Sequence, residues 1–414
     1  MTVDYAASAR RITRTLFISN SLGLAARVAF FPIVAIAGAK LSGRPSWAGV
    51  PVMAYQLGVA LSAYGWGYLM DYLGRRSALV IALVIGAVGA GVAALAVMLR
   101  SFPVFLLGSA TIGAAVAAGD LSRFVAAEVH PPAERARAIS NVVLGGTVGA
   151  IMGPLLAGAT SGLARNIGLD ELAAPYGVSL LLFVTAALLI FAFLRPEPKE
   201  LARAIAQSNE PLREDGPVRT IAQIFRVRAV QVAVTSMVLG QLVMTMLMVI
   251  TPLHMRGHQH PLSSISFVIS AHVVGMYAFS VISGRLADRW GRGPVIIAGG
   301  GILILSCLSA ILSPQVLPIT VALFLLGLGW NFCYVGGSTL LADQLSPQER
   351  ARTQGFNDLL IHMTSAVGGL GSGIVFAAIG YGAMGLVGAA TALIPLTMAA
   401  WWRNGRRTAT AVAG

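Results

Sequence analysis

The chain has 414 residues, 56% of them hydrophobic and only 11% charged, with a formal net charge of +13. A soluble domain carries roughly 25% charged residues, so these charges are too few to cover a water-facing surface of this size, and a soluble globular protein is excluded. The basic excess would suit nucleic acid, but its placement is that of a membrane topology signal, and no nucleic-acid partner is expected.

Three arginines, Arg10, Arg11 and Arg14, precede the first apolar run, Phe17 to Ala39. About 20 such residues as helix cross a bilayer core of roughly 30 Å. The stretch AIAGA (Ala35 to Ala39) resembles a signal-cleavage site. A secretory signal has an apolar core of about 7 to 15 residues; this run is longer and carries Arg27, so a retained membrane helix is expected. Further runs follow, among them Ser77 to Leu99, Val178 to Leu194 and Gly382 to Trp402. None alternates as a barrel strand would, and only helices or closed barrels satisfy their backbone in lipid. An all-α membrane protein is therefore predicted, with twelve spans near 15–37, 49–70, 77–99, 103–128, 139–162, 176–194, 229–252, 264–284, 294–312, 318–343, 355–377 and 381–402.

With the N-terminus in the cytoplasm, 22 of the 29 Lys and Arg residues fall on the cytoplasmic side and five on the other. This asymmetry fits the positive-inside rule and puts both termini in the cytoplasm of an inner-membrane protein. The polar, proline-containing stretch from Arg195 to Arg228 reads as a cytoplasmic linker, with room for a surface helix. It divides the chain into halves 1–194 and 229–414, with six spans each. Cys307 and Cys333 fall inside spans and read as packing residues. The loop HMRGHQH (His254 to His260) has neither acid nor cysteine nearby, so no metal is expected, and no cofactor motif is present.

The halves repeat one pattern. GYLMDYLGRR (Gly67 to Arg76) returns 217 residues later as GRLADRWGRG (Gly284 to Gly293), matching Gly67, Asp71, Gly74 and Arg75 to Gly284, Asp288, Gly291 and Arg292. PPAERARAISN (Pro131 to Asn141) returns as SPQERARTQGFN (Ser346 to Asn357), with Glu134 and Glu349 215 residues apart. Glu128 and Asp343 share that offset, each closing a fourth helix; SLGL (Ser21 to Leu24) and VLGQ (Val238 to Gln241) lie 217 apart in the first helix of each half. Gly67 would let its helix approach a neighbour closely, Gly74 permits a tight turn, and Arg75 and Arg292 are placed to reach Glu128 and Asp343.

These motifs resemble the signature between helices two and three of the major facilitator superfamily and its second-half echo, and the resemblance covers the whole chain. It implies two six-helix bundles related by pseudo-twofold symmetry, working by alternating access as a monomer in the lipid bilayer. It also implies that Asp71 latches the halves near the start of the eleventh helix. GAIMGPLLAG (Gly149 to Gly158) resembles the helix-five motif of proton-coupled drug exporters through Gly149, Gly153, Pro154 and Gly158, with Ala157 where that motif has glycine. The exporters' fourth-helix arginine and glutamine are replaced by Ser109 and Ile112.

An ionisable residue within a span costs about 2.5–3.5 kcal/mol on insertion scales and is a functional suspect. Asn20, Gly23 and Arg27 form one stripe of the first helix, and Asp120 and Arg123 share a face of the fourth. By the resemblance, helices one, four, seven and ten line a central cavity. Two readings stay open: a static ion pair, or an arginine that binds a polar or anionic substrate group while Asp120 carries a proton. Gln241, Thr245, Asn331, Tyr334 and Ser338 would hydrogen-bond a substrate or another helix. Asp358 and His362, one turn apart, would form a protonation switch or a helix cap. With no HExxH pattern, phosphate loop or nucleophile with a base, the expected function is small-molecule transport driven by a proton gradient. Export is the first reading, uptake of an anionic or polar nutrient the alternative, and a non-transporting sensor on the same fold a remote one.

Overall fold

The computed structural model describes residues 5–131, 134–166, 168, 170–208 and 219–413, and among these it contains helices and no strand. In chain order the first half holds α1 (Tyr5–Ala29), α2 (Phe31–Ser42), α3 (Val50–Leu73), α4 (Arg75–Met98), α5 (Phe102–Glu128), α6 (Arg135–Asn166) and α7 (Ala174–Phe193). Two short helices, α8 (Pro198–Ser208) and α9 (Ile221–Phe225), lie in the linker. The second half holds α10 (Arg228–Gly257), α11 (Leu262–Tyr277), α12 (Ser280–Trp290), α13 (Arg292–Ala310), α14 (Val316–Ala342) and α15 (Pro347–Ala413). Residues 209–218 of the expected linker lie outside the described residues.

Three boundaries differ from the sequence expectation. The first span is two helices, parted at Phe30, two residues before Pro32. Proline lacks an N–H and its ring clashes with the carbonyl four residues back, so α1 stops there and Ile33 and Val34 both donate to the Phe30 carbonyl. The eighth span parts at Ala278 and Phe279 into α11 and α12. No proline lies there; the Asn331 side chain instead donates to the Met276 carbonyl at 2.6 Å, the kind of inserted side chain that opens a helical ladder. The last two spans run on as one element, separated by Gly380 at φ 77°. Among the described residues, ten stretches are long and apolar enough to cross a membrane, the last of them, Arg352–Asn404, long enough to cross twice.

The chain forms two compact units, residues 1–42 with 54–214 and residues 43–53 with 215–414. In the first, α1 packs on α6 and α7, and α4 on α5 and α7. In the second, α10 packs on α14 and α15, α13 on the same two helices, and α11 on α14. Lipid offers no hydrophobic drive for helix pairing, so small residues that bring backbones together do the work. The α6 face built from Gly145, Gly149 and Gly153 shows it: a Cβ on Gly149 would sit 1.8 Å from the Ser21 carbonyl oxygen, and one on Gly153 2.7 Å from that of Ala25. Asn20 and Ser21 reinforce the same seam by donating to the carbonyls of Val142 (2.8 Å) and Gly145 (2.6 Å).

Gly149→Val therefore forces α1 and α6 apart. Overpacking of this kind costs about 1–3 kcal/mol or more, and thermal unfolding in detergent should fall clearly for Gly149→Val. Gly162→Ala, where a Cβ meets nothing within 4 Å, should melt as the parent does.

Candidate functional site

The repeated decapeptides form two turns of one design. Gly74 and Gly291 adopt φ 90°, ψ 162° and φ 92°, ψ 162°, a region that penalises any Cβ. Arg75 then folds back: Nη1 donates to Asp71 (2.6 Å) and to the Met70 carbonyl (3.0 Å), while Nε and Nη2 grip both oxygens of Glu128 at 3.1 Å. Arg292 repeats the arrangement, with Nε on Asp343 at 2.8 Å, and Nη1 on the Ala287 carbonyl at 2.9 Å and 3.3 Å from Asp288. Each arginine thus ties the end of one helix to the end of the fourth helix of its half. The planar five-donor fork of arginine makes this possible, and lysine could not replace it. The Asp71 carboxyl is held below its ordinary value, first by the hydrogen bond from Arg75 and then by its charge. One expected role is corrected: a Cβ on Gly67 or Gly284 meets no atom within 4 Å, so close helix approach does not require glycine at either place.

Two linker residues join these loops, and neither was evident from sequence. Glu197 accepts from the backbone N–H of Arg75 at 2.6 Å, placing a carboxylate at the start of α4, where exposed amides and the helix dipole favour negative charge. Arg219 grips Glu349, with its Nε at 2.9 Å and Nη2 at 2.7 Å, its backbone N–H at 2.9 Å, and a further bond from Nη2 to the Gln344 carbonyl. Glu349 is only 2% exposed, and Arg352 returns a hydrogen bond to the Arg219 carbonyl. Glu134, its repeat counterpart, is exposed. The Glu349 carboxyl is held far below the usual range, chiefly by the hydrogen bond from Arg219, against the opposing cost of burial.

The charged residues of the spans meet inside the first unit. Arg27 Nη1 lies 3.6 Å from Asp120 Oδ1, with side chains 21% and 43% exposed. Arg27 stands in the last turn of α1, just before the break at Phe30, where the negative end of a helix dipole favours a cation. Both line a recess of about 50 Å³, partly open to solvent, with Asn20 and Gly23 of α1, Leu79 and Leu83 of α4, Ala115, Val116 and Gly119 of α5, and Phe183 of α7. Arg123 is not among the lining residues; its guanidinium carbon stands 4.9 Å from the centroid of the Phe124 ring.

In the second unit the expected polar residues form networks. Gln241 accepts from Trp330 Nε1 at 2.7 Å and donates to Ser365 at 2.7 Å and Thr245 at 3.3 Å, so it joins α10, α14 and α15. Trp330 stacks on Tyr334, with centroids 4.9 Å apart at 19°. Asn331 is buried and holds Met276, Ser280 and Ser283 around the α11–α12 break. Asp358 and His362 are half-buried one turn apart on α15. On α6, Pro154 lies inside the helix, and Gly158 is half-buried beyond it. His254 stacks on Tyr381 with centroids 4.1 Å apart, and among the described residues no group of three or more His, Cys, Asp or Glu could hold a metal.

Two compact helical units, matched glycine turns and an ion pair between long apolar helices are features of a polytopic membrane protein. The profile of the Major Facilitator Superfamily matches residues 16–261 and 233–413, and the chain belongs to that superfamily as a transporter of small molecules. It is 33% identical over 396 residues to the uncharacterised MFS-type transporter YdeG of Bacillus subtilis (strain 168), covering 94% of this chain and 92% of the relative. It is 31% identical over 362 residues to the riboflavin transporter RfnT of Brucella anthropi, covering 87% and 88%. Its fold is similar to that of a bacterial homologue of the human lysosomal transporter Spinster, with TM-score 0.73, 14% identity and coverage of 96% and 97%.

The Arg219–Glu349 clamp yields a pH prediction. A carboxyl whose folded value lies below its unfolded value of about 4.3 stabilises the fold above that unfolded value. The contribution disappears only as pH falls through the folded value. Glu349→Gln should lower the unfolding temperature by the same amount at pH 7 and pH 5, and the gap to wild type should narrow below about pH 4.

Proposed function

We propose that the chain is a proton-coupled secondary transporter in the cytoplasmic membrane, with both termini in the cytoplasm. In this reading Asp120 takes up and releases the proton, and Arg27 binds or senses the solute. The observation that carries it is the Arg27–Asp120 contact at 3.6 Å within a recess partly open to solvent. A structural pair repays its desolvation only with close, fully hydrogen-bonded geometry, whereas this pair stands 3.6 Å apart and both members border the recess. The two glycine turns, each braced by an arginine, act as hinges of the halves during alternating access.

The glycine-proline stretch of α6 supports export. Partial similarity to the multidrug resistance protein MdtL of Escherichia coli, 32% identical over 90 residues and 22% of this chain, points the same way. A second reading, uptake of a small anionic or polar nutrient, is favoured by Arg27 at the recess and by the riboflavin transporter among the relatives.

The test is proton flux in inside-out vesicles followed with a pH-sensitive dye. Pooled lipophilic cations, organic anions, vitamins and sugars are added to wild type and to Asp120→Asn. One pool should change the pH gradient with wild type and leave it unchanged with Asp120→Asn at equal protein level. Unaltered coupling in Asp120→Asn would remove the residue from the proton path and leave it a structural role.

A further inference from the structure

The recess has a counterpart in the second repeat that is closed. At the offsets that relate the halves, Ala115 and Gly119 of α5 correspond to Trp330 and Tyr334 of α14, and Leu24 and Arg27 of α1 correspond to Gln241 and Met244 of α10. In the second unit the Trp330 indole reaches across to Gln241, is only 8% exposed, and carries the Tyr334 ring stacked upon it. One repeat thus fills this position with two rings and no formal charge. The other empties it with alanine and glycine and lines it with a guanidinium and a carboxylate; a Cβ on Gly119 would meet nothing within 4 Å.

Charge balance indicates what such a recess can take. Arg27 and Asp120 are the charged residues among those lining it from α1, α4, α5 and α7, and Arg123 lies over Phe124 outside it. An arginine stays protonated in proteins, so its charge is fixed, while Asp120 can be neutralised by a proton. Empty, the pair sums to zero. A bound cation, or a proton alone, leaves one positive charge, and a bound anion alone leaves one negative charge. An anion on Arg27 together with a proton on Asp120 restores zero. Uncompensated charge inside a membrane protein is costly, so the empty and doubly loaded states are favoured over either half-loaded state. That is the condition for moving the two together. Asp120 is also the more exposed partner, at 43% against 21%, and an anion that takes its place on Arg27 offsets the positive charge that favours the ionised carboxylate.

We propose that the recess binds a small organic anion, its charged end on Arg27 and its apolar body against Leu83, Val116 and Phe183, and that each anion enters with one proton on Asp120. Ala115 and Gly119 are the specificity-determining residues that keep the recess open. This rests on the reading that Asp120 carries the proton, and it selects uptake over export wherever the proton gradient points inward.

The test uses purified full-length protein in weakly buffered detergent solution. Binding of benzoate and benzenesulfonate is followed by equilibrium dialysis, and proton uptake by a pH dye, with benzamide and benzylamine as neutral and cationic counterparts. The expected result is saturable binding of the anions with about one proton taken up per anion. Benzamide and benzylamine should fail to compete. Arg27→Gln should weaken binding about tenfold or more, as expected for loss of a charge-assisted contact. Gly119→Tyr should abolish binding by filling the recess while Gly119→Ser retains it, which separates closure of the recess from damage to the fold. Asp120→Asn should take up no proton, and its affinity should no longer vary with pH. Anion binding without proton uptake, equal competition by benzamide or benzylamine, unchanged binding in Gly119→Tyr, or no binding at millimolar concentrations would each overturn the proposal. Asp120-dependent proton exchange driven by cations, with no anion binding, would overturn it while leaving the proton role of Asp120 standing.

Discussion

The contact between Arg27 and Asp120 is the constraint around which the first half is built. A charge within a membrane span is tolerated only when something nearby compensates it. Here a carboxylate on α5 stands 3.6 Å from the guanidinium of α1, and the break at Phe30 adds the favourable end of a helix to the cation's surroundings. Proline, arginine and aspartate therefore belong to one local arrangement: Pro32 ends α1, the end of α1 suits Arg27, and α5 places Asp120 beside it. The glycines of α6 then bring a neighbouring helix onto the same stretch of α1.

The two repeats conserve their ends and differ in their middles. At the ends, Gly74 with Arg75 and Gly291 with Arg292 make nearly superimposable turns, each arginine bridging two acids and the carbonyl five residues before it. In the middles, one repeat opens a charged recess and the other closes it with Trp330, Tyr334 and Gln241. A duplicated scaffold preserves the parts that set geometry and is free to assign chemistry to one copy. The linker adds a further asymmetry, since Arg219 clamps Glu349 while Glu134 stays exposed.

Much of this was legible in the sequence because its signals are local. Apolar length marks the spans, and a shared offset marks the repeat. The repeated motif and its matched offsets put Arg75 within reach of Glu128 and Arg292 within reach of Asp343. Arg27 and Asp120 stood out because charges are rare in such a chain. Glu197 and Arg219 did not, because in a polar linker rich in both signs nothing marks which acid will find a helix start or which arginine a buried glutamate. The break in the eighth span was equally hidden: it depends on Asn331, more than fifty residues away, finding the Met276 carbonyl. Gly67 misled in the other direction: a small residue in a membrane helix suggests close packing, yet a Cβ there would meet nothing within 4 Å.

The central claim is that Arg27 and Asp120 act as a functional pair with distinct roles and are more than two charges that cancel. The exchanged double variant, Arg27→Asp with Asp120→Arg, tests it most directly when compared with each single variant for folded yield and for proton exchange per folded molecule. The account predicts that the exchange restores the folded yield lost in the single variants but not proton exchange, because the fixed charge and the titrating group have traded places. Recovery of both would contradict it and reduce the pair to a structural ion pair.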